Sequence, residues 1–215
     1  MAGRDLWVFG YGSLMWQPGF AHEEVVPAIL QGAHRALCVY SIFYRGTPSR
    51  PGLVLGLDVG GCCHGLAFRV PADRAREARA YLKAREQVTM VYREAVRPVR
   101  LDDDSGRSVR ALCFLADPRH PQYAGRLPIA RQAQIVFRGR GRAGDNVDYV
   151  LNTIRHLLDM GIREPALARL PSLMGVPRFV GGRGVDSNNV DGGGNAMSQR
   201  PAPSAGPEKP LRPGA

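Results

Sequence analysis

The chain has 215 residues, 44% hydrophobic and 22% charged, enough to bury one substantial core. No apolar run approaches the ~18–20 residues of a membrane span, which excludes a helical integral membrane protein. The formal charge is +10, but the 29 basic residues, all arginine except Lys83 and Lys209, are scattered, and aromatics make up only 7%. Nucleic-acid binding would gather that charge into a stripe interleaved with stacking rings, so it is not expected; an anionic small molecule suits the same field.

Leu6-Trp7-Val8-Phe9 reads as a short apolar strand. Nothing before it has the basic, apolar and cleavage regions of a signal peptide, so a cytoplasmic location is expected. The strand runs into Gly10-Tyr11-Gly12-Ser13-Leu14. Two glycines permit a tight turn that offers main-chain N–H groups to an anion. Neither Gly-x-Gly-x-x-Gly nor Gly-Lys-Ser/Thr is present, so this is no dinucleotide fingerprint and no P-loop. On spacing alone an ordinary glycine turn accounts for it at least as well.

Leu37-Cys38-Val39-Tyr40 is the next strand, followed by a loop over Tyr44–Gly52 marked by Gly46, Pro48, Pro51 and Gly52. Arg45 in that loop is either a carboxylate-holding group or a solvated cation. Two further strands follow, Gly52–Leu57 and Cys63–Val70. Cys62-Cys63-His64 gathers metal-ligand types, but adjacent side chains of an extended segment face opposite ways and no Cys-x-x-Cys spacing supports it. No metal is expected, and Cys38, Cys62, Cys63 and Cys113 read as buried free thiols of a reducing compartment.

Asp73 caps a helix over Ala75–Glu86 that turns Ala78, Leu82 and Tyr81 toward the core. Glu86 at its end is a general base if it faces a partly dry pocket that raises its pKa; otherwise it is a solvated charge opposed to the helix dipole. Glu94–Leu101 alternates Ala95, Val96 and Val99 with arginines, a strand whose Pro98 marks an edge or bulge and whose Glu94 is solvated. Arg110–Leu115 is a strand and Arg131–Phe137 a helix. Asp145-Asn146 opens the clearest helix, with Val147, Val150, Leu151, Ile154, Leu157 and Leu158 on one face and Gly161 at its end. Pro165 starts a short helix through Leu173. Strands first and helices later, without βαβ alternation, describe an α+β protein with a mixed sheet or small barrel packed by helices. That domain fills residues 1–180; residues 181–215, with eight glycines and five prolines, are expected to form a disordered tail.

Several spaced motifs then agree. Trp7-Val8-Phe9-Gly10-Tyr11-Gly12-Ser13-Leu14-Met15-Trp16, Tyr44-Arg45-Gly46-Thr47-Pro48, Pro51-Gly52-Leu53-Val54-Leu55, Tyr81-Leu82 with Arg85-Glu86 and Tyr92, Asp117-Pro118-Arg119-His120-Pro121, and Gly144-Asp145-Asn146-Val147-Asp148-Tyr149 resemble the ChaC family of γ-glutamylcyclotransferases. The resemblance implies an α+β fold on a small mixed β-barrel with flanking helices. It implies cleavage of γ-glutamyl peptides, chiefly glutathione, to 5-oxoproline and Cys-Gly, with no cofactor. It also implies Glu86 as catalytic acid–base and Tyr11, Gly12, Ser13, Leu14, Arg45 and Tyr149 as substrate-binding residues. Met90 departs from the family pattern, where glycine is common, and so does Tyr44, where histidine is common. Two alternatives stay open on sequence: a cyclotransferase for another γ-glutamyl amide, and a catalytically silent γ-glutamyl-binding protein.

Overall fold

The computed structural model describes residues 4–86 and 89–176. Five strands, β1 (Leu6–Gly10), β2 (Glu24–Ser41), β3 (Gly52–Val70), β4 (Tyr92–Leu101) and β5 (Ser108–Ala116), close into a barrel in the order β1-β3-β2-β4-β5. Neighbours run antiparallel except β5, which meets β1 and the middle of β3 in parallel. The expected mixed barrel is therefore present, and closure satisfies strand edges that an open sheet would expose.

Side chains of β1 and β5 alternate between two cores. Val8, Leu112 and Phe114 join Phe68 and Val70 beneath α1 (Ala75–Glu86), which contributes Ala78 and Leu82. Phe9, Ala111 and Cys113 point the other way, into a larger core with Leu30, Leu53 and Leu57. The helices α2 (Ile129–Arg138), α3 (Asn146–Asp159), α4 (Pro165–Ala168) and α5 (Leu170–Leu173) complete that core through Val136, Val150, Leu157, Leu167 and Leu170. Burial on both faces explains why these strands read as unbroken apolar runs rather than alternating ones. A small hairpin, β6 (Arg140–Gly141) and β7 (Gly144–Asp145), links α2 to α3.

Most element bounds differ from the sequence reading by a residue or two; three differ by more. The strand expected from Leu37 begins at Glu24, and the two expected at Gly52–Leu57 and Cys63–Val70 are one continuous strand. Gly32, Gly60 and Gly61, at φ of 80°, 94° and 69°, absorb a register shift where Gln31 faces Cys62 and Ala33 faces Val59, so both strands bend without breaking. The helix expected over Pro165–Leu173 is interrupted at Arg169, with Pro171 in the first turn of its second half. Pro98 sits as expected at an edge, because β4 pairs with β2 only from Val99 onward.

The thiol expectation needs correcting at one position: Cys62 is exposed, whereas Cys38, Cys63 and Cys113 are buried. Alternation along β3 sends Cys62 outward and Cys63 inward. The expected tail, residues 181–215, lies outside the described residues. Among the described residues, no helix is long and apolar enough to cross a membrane.

Candidate active site

At the end of β1 the chain crosses β3 so closely that a Cβ at Gly65 would collide with the Gly10 carbonyl. Beyond it, Ser13–Met15 form one turn of 3-10 helix with Gly12 as N-cap, closed by the Met15 amide donating to the Gly12 carbonyl at 2.9 Å. Leu14 is buried beneath α1 and Met15 in the larger core, so the turn is pinned from both sides. The first amides of such a turn have no intrahelical acceptor and face outward as donors.

The end of α1 is stitched to this turn by Arg85. Its Nη2 donates to Ser13 Oγ at 2.9 Å, and its Nη1 donates to the Gln17 carbonyl at 2.7 Å and to Tyr81 Oη at 3.1 Å. Glu86 follows, its Oε1 3.5 Å from Arg85 Nε and its side chain 15% exposed. Burial raises the Glu86 pKa above the ordinary glutamate range, against a smaller lowering by Arg85. The carboxylate expected to need a partly dry setting has one.

Three phenols share that setting. Tyr92 Oη donates to the Leu55 carbonyl at 2.6 Å, and the Leu55 amide donates to Tyr149 Oη at 3.1 Å. A bulge in β2 between Ala36 and Val39 leaves Leu55 of β3 without a residue directly opposite, and the two side chains take up its main-chain groups. Burial pushes Tyr11, Tyr92 and Tyr149 above the usual phenol range, and Glu86 adds to the shift of each. Arg85, Glu86 and Tyr92 line a cleft of about 160 Å³ whose rim carries Phe43 and Tyr44, both exposed. A larger cleft of about 250 Å³ lies away from these groups, between α3 and α4, and is mostly apolar. Its one carboxylate, Glu164, is ion-paired with Arg35, whereas the smaller cleft holds Glu86.

Of the residues expected to hold substrate, Ser13 is tied to the end of α1 by Arg85, and Tyr11 and Tyr149 lie close enough to Glu86 for its charge to add to their shifts, but none of the six is among the residues lining the smaller cleft. Arg45 Nη1 donates to the carbonyls of Ala143 and of Asp145, the latter at 3.3 Å, and its guanidinium lies 5.6 Å over the Tyr149 ring. Through Nη1 it braces the hairpin beside Tyr149. Asn146, expected only as a helix opener, is wholly buried and bonds both main-chain groups of Leu53, accepting from the amide at 2.6 Å and donating to the carbonyl at 2.8 Å. It replaces a missing strand partner and fixes where Tyr149, one turn later, emerges. Tyr92 and Leu55 were not marked as site residues by sequence; only the position of Tyr92 after Glu86 in the quoted motif hinted at it.

Glu94 also departs from expectation. Its side chain is 19% exposed, its Oε2 accepts from Arg79 of α1 at 2.8 Å, and its Oε1 is buried without a partner among the described residues. Arg79 of α1 reaches Glu94 alone on this face of β4, where Val96 and Pro98 stay exposed as the sequence suggests. Met90, at φ 60°, is the one non-glycine residue with positive φ among those described, the conformation glycine adopts most readily.

A desolvated carboxylate at the end of a barrel-packed helix, close to buried phenols and tied through Arg85 to a glycine turn, is chemically suited to proton transfer on an anionic small molecule. The profile of the ChaC-like protein family matches residues 6–174, and the chain belongs to that family. It is 35% identical over 162 residues to the glutathione-specific gamma-glutamylcyclotransferase of Escherichia coli K12, covering 75% of this chain and 69% of that protein. Identity is 34% over 150 residues to human glutathione-specific gamma-glutamylcyclotransferase 1, covering 69% and 68%. The crystal structure of a yeast γ-glutamyl cyclotransferase specific to glutathione superposes with a TM-score of 0.70 at 23% identity, over 81% of this chain and 97% of that one. The likeness shows a shared fold, the γ-glutamylcyclotransferase barrel.

Proposed function

We propose that the protein is a γ-glutamylcyclotransferase acting on glutathione, releasing 5-oxoproline and Cys-Gly. The observation that carries the reading is the placement of a buried, pKa-raised Glu86 against the glycine turn, joined to it by Arg85. The curated relatives named for glutathione support the choice of substrate. Three buried free thiols among its four cysteines fit a reducing compartment, the cytoplasm.

The γ-glutamyl group carries its own nucleophile. Its α-amine attacks the γ-carbonyl, a five-membered ring closes, and the amide C–N bond to cysteine breaks. The protein's task is to fold the substrate so that amine and carbonyl meet, an effect able to supply roughly 7–11 kcal/mol. Glu86 takes a proton from the ammonium, freeing the attacking lone pair, and returns one to the departing nitrogen. A raised pKa suits both halves of that cycle. Amides of the Gly12-Ser13-Leu14 turn bind the α-carboxylate or the developing oxyanion, with Tyr11 and Tyr149 walling the glutamyl group.

The test is to incubate the protein with glutathione and, separately, with other γ-glutamyl amides, and to measure 5-oxoproline. Product from glutathione is expected; product only from another amide, or none at all, would refute the assignment. Glu86→Gln should lower turnover by about 10²–10⁴-fold, the range for loss of a general base. Glu77, exposed on α1, is the control, since Glu94 is partly buried and paired.

A further inference from the structure

Arg35 of β2 is a buried cation whose side chain is 0% exposed, an arrangement that is costly unless every donor direction is met. Here three segments meet them. Its Nε donates to the Tyr11 carbonyl at 2.6 Å, its Nη2 to the His64 carbonyl on β3 at 2.7 Å, and its Nη1 to the carboxylate of Glu164, just ahead of α4. Nη2 also lies 3.7 Å from Met15 Sδ, so the guanidinium touches both ends of the glycine turn. Glu164 is 24% exposed and holds the charge in place from the outer side.

The bond to Tyr11 has a consequence for the turn. In a trans peptide the carbonyl and the following N–H point in opposite directions. With the Tyr11 carbonyl drawn inward onto the guanidinium, the Gly12 N–H is turned outward, away from the core. We propose that Arg35, held by Glu164, is a positioning residue for the reaction: it sets the Tyr11–Gly12 peptide plane and so aims the first amide of the turn at the substrate anion. The inference rests on the reading of that turn as the substrate-holding loop. Arg85 fixes the same turn from the side of α1 through Ser13, so the loop is held between two arginines. Among the described residues, Arg35 is the side chain that bonds its main chain at Tyr11.

The experiment separates aim from bulk stability. Arg35→Met alone strands Glu164, and Glu164→Gln alone weakens the clamp on a folded protein, so the informative variant is the double Arg35→Met, Glu164→Leu. Replacing a buried ion pair by apolar side chains of similar volume is commonly tolerated, so this protein is expected to fold, with a Tm lowered because the Tyr11 and His64 carbonyls lose their donor. Its KM for glutathione should still rise about 10- to 100-fold while kcat changes less, the signature of lost binding held in both ground and transition states. Arg35→Lys, which keeps the charge but not the fork, should show the same split, and Glu164→Gln a milder one. A well-folded double variant with wild-type KM would overturn the proposal. In parallel, the Gly12 amide resonance in ¹⁵N-labelled protein should shift in the double variant. That readout needs no turnover: if wild-type protein proves inactive on glutathione, the proposed function fails, while a shifted or unshifted Gly12 amide still decides for or against Arg35 as the residue that aims it.

Discussion

The buried Glu86 carboxyl costs the fold stability at neutral pH. Burial raises its pKa in the folded state, so between the ordinary glutamate range and that raised value the folded protein binds more protons than the unfolded chain. The favourable contribution of its neutral form is complete below the ordinary range and is lost as pH rises through the folded value. Glu86→Gln removes the titration, so the variant should melt above wild type near neutral pH, with the gap closing in acid; thermal melts across pH read this directly. Arg85 is the lowering influence on the same carboxylate. Arg85→Gln should therefore move the acidic limb of the kcat/KM profile to higher pH, and an unmoved limb would contradict the pairing. Met90 holds a backbone conformation that suits glycine, and its side chain is exposed. Met90→Gly should stabilise by about 1 kcal/mol, seen as about 2–4 °C in Tm.

At the scale of elements, the site depends on α3 starting where it does. Asn146 stands in for a strand by bonding both main-chain groups of Leu53. Asn146→Ala leaves a buried amide and carbonyl unpaired, at about 1–3 kcal/mol each, and should lower Tm accordingly while displacing Tyr149. Asn146→Asp is the sharper probe. It keeps an acceptor for the Leu53 amide but turns a carboxylate toward the Leu53 carbonyl, so it should destabilise despite equal size. Denaturant unfolding of both variants measures the cost. The long β2–β3 pair plays a comparable part: its bend at Gly32, Gly60 and Gly61 keeps two strands continuous around the barrel, and its second irregularity frees Leu55 for Tyr92 and Tyr149.

For the whole molecule, the family match ends at residue 174, and residues 181–215 are composed of side chains that cannot build a core. We propose that this segment takes no part in folding or catalysis. Truncation after Val180 should leave both Tm and 5-oxoproline formation nearly unchanged; aggregation or lost turnover in the truncated protein would sink that idea. A net charge of +10 favours the approach of an anionic peptide, so kcat/KM for glutathione is expected to fall as salt rises.

What the sequence determined by itself was whatever rests on neighbours in the chain. Leu6–Phe9 running into a glycine turn, the period of Val150, Ile154 and Leu157, the helix ending at Glu86, and an α+β order of strands before helices all follow from local pattern, whereas the choice of a barrel and of Glu86 as the residue to test came from the resemblance of spaced motifs to a family. The tertiary structure alone decided the rest, because each remaining feature joins residues far apart. Pro27, Gly32 and Arg35 interrupt the apolar pattern of β2, and only pairing with β3 makes it one strand. Arg45 reads as a free loop cation until Ala143 and Asp145 arrive, and Glu94 reads as solvated until Arg79 of α1 reaches it. A buried arginine looks like any other in sequence; what makes Arg35 a clamp is the closure of the barrel, which brings Tyr11, His64 and Glu164 to one guanidinium and removes the water that would otherwise solvate it.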